Sequence, residues 1–221
     1  MISQTMQDYL KTIYKLQKGR DEVDKVNTSM IAKKMQISPA SVTNMIKKLA
    51  KQNLVRHIPY RGVELTPAGE KIALEMIRHH RLLELYLAEA LGYPWDQVDV
   101  EADKLEHVIS EAFEDRIDEV LNFPTLDPHG APIPSKNGAM KQRKYLRLVE
   151  LPEGQTAVIR QVSDRDPDML RHMEALGLKP GVCVEVREKA PFNGPLVLKI
   201  DSDEEQVLGR EVADHIYVTV T

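Results

Sequence analysis

The chain has 221 residues, of which 42% are hydrophobic and 29% charged, and a formal net charge of −4. This is a globular composition, enough for one large or two to three small domains, and it excludes a disordered or fibrous chain. Cys183 is the only cysteine, which excludes a disulfide framework. No apolar run reaches the roughly 20 residues of a bilayer span, and the N-terminus lacks a signal-peptide layout. A cytoplasmic protein with no membrane partner is therefore expected. The charge is uneven: residues 1–64 carry 12 Lys/Arg against 5 Asp/Glu, and the remainder carries 18 against 29. A basic N-terminal third on an acidic protein is the footprint of a nucleic-acid face.

In chain order, TMQDYLKTIYKLQK (5–18) places Met6, Tyr9, Leu10, Ile13, Tyr14 and Leu16 on one helical face, with Asp8 on the polar side and Gly19 as the stop. After the polar stretch RDEVDKVN, Thr28 to Met35 reads as a short helix. A tight QIS connection leads to Ser38, a favoured N-cap, and Pro39, which suits the first helical position. This next helix runs to about Asn53, with Val42, Met45, Ile46 and Leu49 inward. LVRHIPYRGVELT (54–66) then gives two short β runs around Tyr60-Arg61-Gly62.

Helix, short helix, turn, helix and basic hairpin is the order of a winged helix-turn-helix, whose second paired helix enters the major groove of double-stranded DNA. Ser38, Pro39, Ala40, Ser41, Thr43, Asn44, Lys47 and Lys48 form its expected outward face. The small and hydroxyl residues suit base edges, and the lysines suit phosphates. Arg56, Tyr60 and Arg61 place the wing against the backbone or the minor groove.

Thr66-Pro67 repeats the capping pattern and opens a helix of some 25 residues, over 67–91, apolar on more than one side. Such a helix must be buried in a bundle or across a dimer. His80 and Glu84 share one of its faces. EADKLEHVISEAFEDRI (101–117) reads as part of a further helix, 101–121. At about 100° per residue, Asp103, Glu106 and His107 fall within one arc, opposite a core-facing stripe of Leu105, Val108, Ile109 and Ala112, with Phe113 and Ile117 beside Glu106. Two carboxylates and an imidazole so spaced can converge on one cation; the same pattern is also the solvated acidic face of an ordinary helix. NFPTLDPHGAPIPSKNG (122–138) reads as a Pro-rich loop or linker that holds Asp127 and His129. From Tyr145 onward, YLRLVEL, QTAVIRQV, VCVEVREK, PLVLKID and HIYVTV are short β runs interrupted by one helix near 167–176, the pattern of a small barrel. The domain boundaries expected are 1–65, 66–140 and 141–221.

DYLKTIY (8–14), SPASVTNMIKKL (38–49), YRGVELTPAGE (60–70), RHHRLLELYL (78–87), EADKLEHVIS (101–110) and PHGAPIP (128–134) occur in the order and spacing of one family. Over essentially its whole length, the chain resembles the metal-dependent repressors typified by the diphtheria toxin repressor and the manganese transport regulator. The resemblance implies a mainly α protein with a small β domain: a winged helix-turn-helix, a helical dimerisation domain and a C-terminal SH3-like (FeoA-like) barrel. It further implies a homodimer that binds a palindromic operator and represses metal-uptake genes, with no small organic substrate.

Carried over by position, the resemblance implies a primary metal site of Asp8, Asp103, Glu106 and His107, with His80 as a possible further ligand. It implies an ancillary site of His80, Glu84, Asp127, His129 and Asp164, with Asp166 as the fallback for the last. Asp8 and Asp103 stand where iron-type members carry a methionine and a cysteine. Hard oxygen in place of soft sulfur favours Mn²⁺, with Fe²⁺ as the alternative. Two features depart from the family pattern: Lys11 stands where the binuclear manganese type has a glutamate, and Asp103 is shorter than the usual glutamate. Two other readings of the residues are a winged-helix transcription factor indifferent to metal, and a metalloenzyme using Glu106 or His107 as a base. No catalytic motif supports the second.

Overall fold

A computed structural model of the chain describes residues 2–18, 26–58, 62–140, 144–201 and 205–221. They fall into two units. One comprises Met1–His80, Leu105–Ser110 and Pro134–Ala139; the other comprises Arg81–Lys104, Glu111–Ile133 and Met140–Thr221. Gly19, most of the polar stretch after it, Tyr60 and Arg61 lie outside the described residues.

The first unit begins with α1 (Gln4–Lys18), which buries Met6, Tyr9, Leu10, Ile13 and Tyr14; Leu16 is only half-buried, and Lys11 is buried. α2 (Thr28–Met35) is opened by the Asn27 side chain, which accepts from the Met30 N–H at 2.9 Å, and closed by Gln36 in the left-handed region. α3 (Pro39–Lys51) starts as its sequence requires: the Ser38 hydroxyl accepts the Ser41 N–H at 3.2 Å, and Pro39 takes the first helical position. Its buried residues are Val42, Ile46 and Leu49. β1 (Val55–Ile58) and β2 (Gly62–Leu65) pair antiparallel, from Val55 opposite Leu65 to Ile58 opposite Gly62. Gly62 lies at φ +95°, and a Cβ there would stand 2.2 Å from the Val26 carbonyl oxygen, so only glycine lets Val26 add to the hairpin edge. α4 (Pro67–Glu89) belongs to this unit through His80 and to the other from Arg81. It stops two residues before the expected end and buries residues on several sides, including Met76, Ile77, Leu82 and Leu83.

The expected helix over 101–121 is two helices, α5 (Val98–Leu105) and α6 (Glu111–Val120), with residues 106–110 non-helical between them. The adjacent β-branched Val108 and Ile109 weaken helix continuation, and Ser110 stands just before α6, where serine favours a helix start. The helical wheel therefore fails beyond Leu105. Leu105, Val108 and Ala112 are exposed rather than core-facing; Phe113 is exposed too, while Ala102, Glu106, Glu114 and Ile117 are buried.

The Pro-rich stretch is not a bare linker. Its backbone closes on itself through Asp127 N–H to Ala131 O at 2.9 Å and Ile133 N–H to Thr125 O at 3.0 Å. Asp127, His129, Ala131 and Ile133 are buried.

The β-rich part contains β3 (Leu146–Arg147), a 3₁₀ turn over Leu148–Glu150, β4 (Thr156–Val162), α7 (Pro167–Ala175), β5 (Cys183–Lys189), β6 (Leu196–Ile200), β7 (Glu205–Leu208), α8 (Arg210–Asp214) and β8 (Ile216–Val220). β7 and α8 are additional to the expected elements, and the first expected strand is mostly the 3₁₀ turn. The six strands form one antiparallel sheet in the order β3-β8-β4-β5-β6-β7. Register shifts between Ile159 and Gln161 and between Val186 and Glu188 are the irregularities that bend small sheets. Ile159, Met173, Val186, Leu196, Leu198, Ile216 and Val218 fill the interior. Trp95, from the turn between α4 and α5, is a member of this core.

Candidate metal centres

In the first unit, α1 carries Asp8 and the turn after α5 carries Glu106 and His107. Asp8 Oδ1 lies 2.9 Å from His107 Nε2, and Glu106 Oε1 lies 3.5 Å from it. One ligand atom from each of the three lies within 4.8 Å of those from the other two. His107 Nδ1 is 2.9 Å from Gln7 Oε1. An amide oxygen only accepts, so Nδ1 donates to it, and Nε2 is turned toward the two carboxylate oxygens. Two carboxylate oxygens and an imidazole nitrogen so gathered are the donor types that hold a divalent ion. The set fits a cation.

The other Glu106 oxygen is already engaged. Lys11 Nζ donates to Glu106 Oε2 at 2.7 Å, and His80 Nδ1 lies 2.7 Å from the same oxygen and 3.2 Å from Lys11 Nζ. Burial pushes the Glu106 carboxyl upward, but the His80 hydrogen bond and the Lys11 and His80 charges outweigh it, so the group is held below the ordinary carboxylate range. His79 Nδ1 lies 3.0 Å from the Glu106 carbonyl oxygen, to which it donates, and so anchors the turn itself. Asp103 stands exposed on α5 in the other unit, and the Asp8–Glu106–His107 group forms without it.

The second unit holds a separate cluster of Glu84, Asp127 and His129, all buried. His129 Nδ1 lies 3.7 Å from Glu84 Oε1. Its Nε2 lies 2.9 Å from the Trp95 carbonyl oxygen, which only accepts, so Nε2 carries the hydrogen and Nδ1 faces the carboxylates. Asp127 Oδ1 accepts the His129 and Ala131 N–H groups at 2.9 Å each. Asp127 Oδ2 and His129 Nδ1 are buried with no hydrogen-bond partner among the described residues. A buried imidazole nitrogen without a hydrogen bond is costly and calls for an ion or a water. Burial raises the Asp127 carboxyl despite Arg81, whose Nε is 3.4 Å from Oδ2. Burial opposes a charge on His129, but Glu84, Asp127 and Asp164 outweigh it and raise the imidazole above its ordinary value. This cluster too fits a cation. Asp164 takes part in that field, whereas Asp166, the fallback, is spent capping α7 by accepting from the Asp168 and Met169 N–H groups.

His80 and Glu84, expected as a pair on one helix face, therefore serve different clusters. Gln7, His79, Arg81 and Trp95 were not singled out by the sequence reading. The available signals were the unusual HH pair and the single tryptophan of the chain, set in a turn.

On α3, Ala40, Ser41, Thr43, Asn44, Lys47 and Lys48 are all exposed, as are Ser38 and Pro39. The Thr43 hydroxyl donates to the Pro39 carbonyl at 2.9 Å, which leaves its oxygen and methyl group for outside contacts. Arg56 on β1 is exposed.

Residues 1–63 match the family model described as the N-terminal DNA-binding domain of iron-dependent repressors. Residues 66–135 match their metal-binding and dimerisation domain, and residues 146–220 match the FeoA domain. An iron-dependent repressor of Mycobacterium leprae is 33% identical over 97% of this chain and 96% of its own length. The chain belongs to the iron-dependent repressor family. Among solved structures, a manganese-dependent transcriptional repressor in complex with manganese superposes with a TM-score of 0.90 at 38% identity, covering 98% of this chain and 100% of that one. The manganese regulator SloR gives a TM-score of 0.76 at 34% identity, covering 98% of each chain. As a member of this family the chain is a metal-dependent, DNA-binding transcriptional repressor rather than an enzyme, with a helix-turn-helix domain, a helical dimerisation domain and an SH3-like FeoA domain. No helix among the described residues is long and apolar enough to cross a membrane.

Proposed function

We propose that this repressor responds to Mn²⁺, with Fe²⁺ as the second candidate, through a primary site of Asp8, Glu106 and His107. The observation that carries this is the facing of the Asp8, Glu106 and His107 acceptor atoms, with nitrogen and oxygen donors only. Such a set suits manganese and iron better than soft cations. Asp103, expected as a ligand, is left out because of its exposure on α5. Glu84, Asp127 and His129, with Asp164 beside them, form the ancillary site.

Functionally the chain divides at 1–65, 66–140 and 141–221. Asp8 lies on the first helix of the DNA-binding domain, and Glu106 and His107 lie in the dimerisation domain. A divalent ion bound by Asp8, Glu106 and His107 joins the two domains. Asp8 is then tied to Glu106 and His107, which fixes α1 and, through α2 packed against both helices, the recognition helix. In a homodimer this sets the spacing of two recognition helices for palindromic half-sites about 34 Å apart. Exposed Phe113, Val120 and Phe123, on and just after α6, are the apolar surface that supports dimerisation; α4 is largely consumed within its own chain. Ser38, Pro39, Ala40, Ser41, Thr43, Asn44, Lys47 and Lys48 face the operator, joined by Tyr60 and Arg61 of the wing. The protein acts in the cytoplasm on metal-uptake genes.

The decisive experiment is a titration of a promoter fragment with the protein in Mn²⁺, in Fe²⁺ and in chelator. Binding that chelator leaves unchanged would select a winged-helix factor indifferent to metal.

A further inference from the structure

Most of the polar atoms of His129 are tied to neighbours. Its N–H donates to Asp127 Oδ1 at 2.9 Å, and its carbonyl accepts the Val162 N–H of β4 at 2.9 Å. Its Nε2–H donates to the Trp95 carbonyl at 2.9 Å, and its ring stacks on the indole at a centroid distance of 5.7 Å and an interplanar angle of 26°. Trp95 is in turn locked. It is a core residue of the β domain, and Lys179 Nζ lies 5.5 Å from its ring centroid, within cation–π range. The indole pays a penalty to be there, because its Nε1–H is buried with no hydrogen-bond partner among the described residues. The site-side features of this residue are its ring stack and its carbonyl.

We propose that Trp95 is the positioning residue of the Glu84–Asp127–His129 site. Its carbonyl takes the Nε2 hydrogen, and its indole fixes the imidazole plane, so that Nδ1 is already turned toward Glu84 and Asp127 before any ion arrives. Through Lys179 and the shared core, the same indole ties the site to the FeoA domain, and as the chain's single tryptophan it reports occupancy of this site. Removing a group that orients a metal-ligating histidine typically costs about 10- to 100-fold in affinity. The proposal rests on the ancillary site assigned above.

The test uses the full-length apo protein titrated with Mn²⁺ alone, with free ion counted by its paramagnetic resonance signal and Trp emission followed in parallel. In the wild type, emission changes as the ancillary site fills. Glu84→Gln abolishes that change and removes one ion, whereas Asp8→Ala preserves the change. Trp95→Leu keeps an apolar plug but no ring to stack; it weakens one ion about 10-fold or more and leaves the other unaltered. Trp95→Phe restores affinity to within about threefold, because stacking and carbonyl remain. If Glu84→Gln binds as many ions as the wild type, the ancillary site itself fails and this role with it. If Glu84→Gln loses an ion but Trp95→Leu binds both as tightly as the wild type, or weakens both equally, only the Trp95 role is overturned. An emission change lost in Asp8→Ala and kept in Glu84→Gln also overturns it, and needs no Trp95 variant to fold.

Discussion

The Lys11 ammonium lies 2.7 Å from Glu106 Oε2, with the two side chains 9% and 1% exposed. One oxygen of this carboxylate is thus paired with an ammonium, and the other lies toward His107. Removing one partner of a buried pair leaves an uncompensated charge and typically costs about 3–5 kcal/mol. His80 still bonds Glu106, so Lys11→Met is expected to destabilise the metal-free protein by about 3 kcal/mol, the lower end of that range. A divalent ion supplies part of the missing charge, so Mn²⁺ should raise the melting temperature of Lys11→Met more than that of the wild type. Thermal melts of both proteins with Mn²⁺ and with chelator measure this; equal shifts would refute it.

Asp8→Ala removes a half-exposed carboxylate from α1 without touching the buried face of that helix. The expected result is a normally folded protein whose operator binding gains little from Mn²⁺. Coupling energies between sites of about 1–3 kcal/mol correspond to roughly 5- to 150-fold stimulation, and most of that stimulation should vanish. Gel-shift titrations at fixed salt, with circular dichroism as the folding control, give the answer.

Gly130 lies at φ +84°, and a Cβ there would stand 2.1 Å from the Arg160 carbonyl oxygen. Gly130→Ala must therefore push the Asp127–Ala131 loop away from β4. The expected cost is about 1–3 kcal/mol of stability, with loss of the ancillary ion and retention of the primary one. Equilibrium dialysis against Mn²⁺ at a temperature where the variant is folded distinguishes the two ions.

Lys47 is exposed on α3, where it is expected to meet a phosphate. Lys47→Ala should weaken binding to all sequences about equally and lower the salt slope by about 1. Thr43→Val, which keeps a methyl group and loses the oxygen, should instead alter preference at particular base pairs. Binding measured across salt concentrations and a small set of operator variants separates the two behaviours.

Much of the first unit is legible in local chain chemistry. The apolar spacing in α1 and α3, the Ser38-Pro39 start and the short runs of the wing are all decided by residues within a few positions of one another, the range over which backbone hydrogen bonds and side-chain caps act. The same holds for most strands of the β domain, where alternation marks the inward face. By itself the sequence also limits the donors at the proposed positions to oxygen and nitrogen, the reason for expecting a hard or borderline cation there. Other features were settled only by tertiary structure. A helical wheel over 101–117 assumes an unbroken helix, yet the backbone leaves the helix after Leu105 and delivers Glu106 and His107 from a turn. His80 and Glu84, one turn apart on α4, part company because each meets different neighbours: Lys11 and Glu106 in one case, His129 in the other. Lys11 and Glu106 are 95 residues apart, and His107 and Gln7 are 100 apart. Contacts across such separations are selected by which faces pack and which buried charges must be compensated, a global balance that no local spacing encodes.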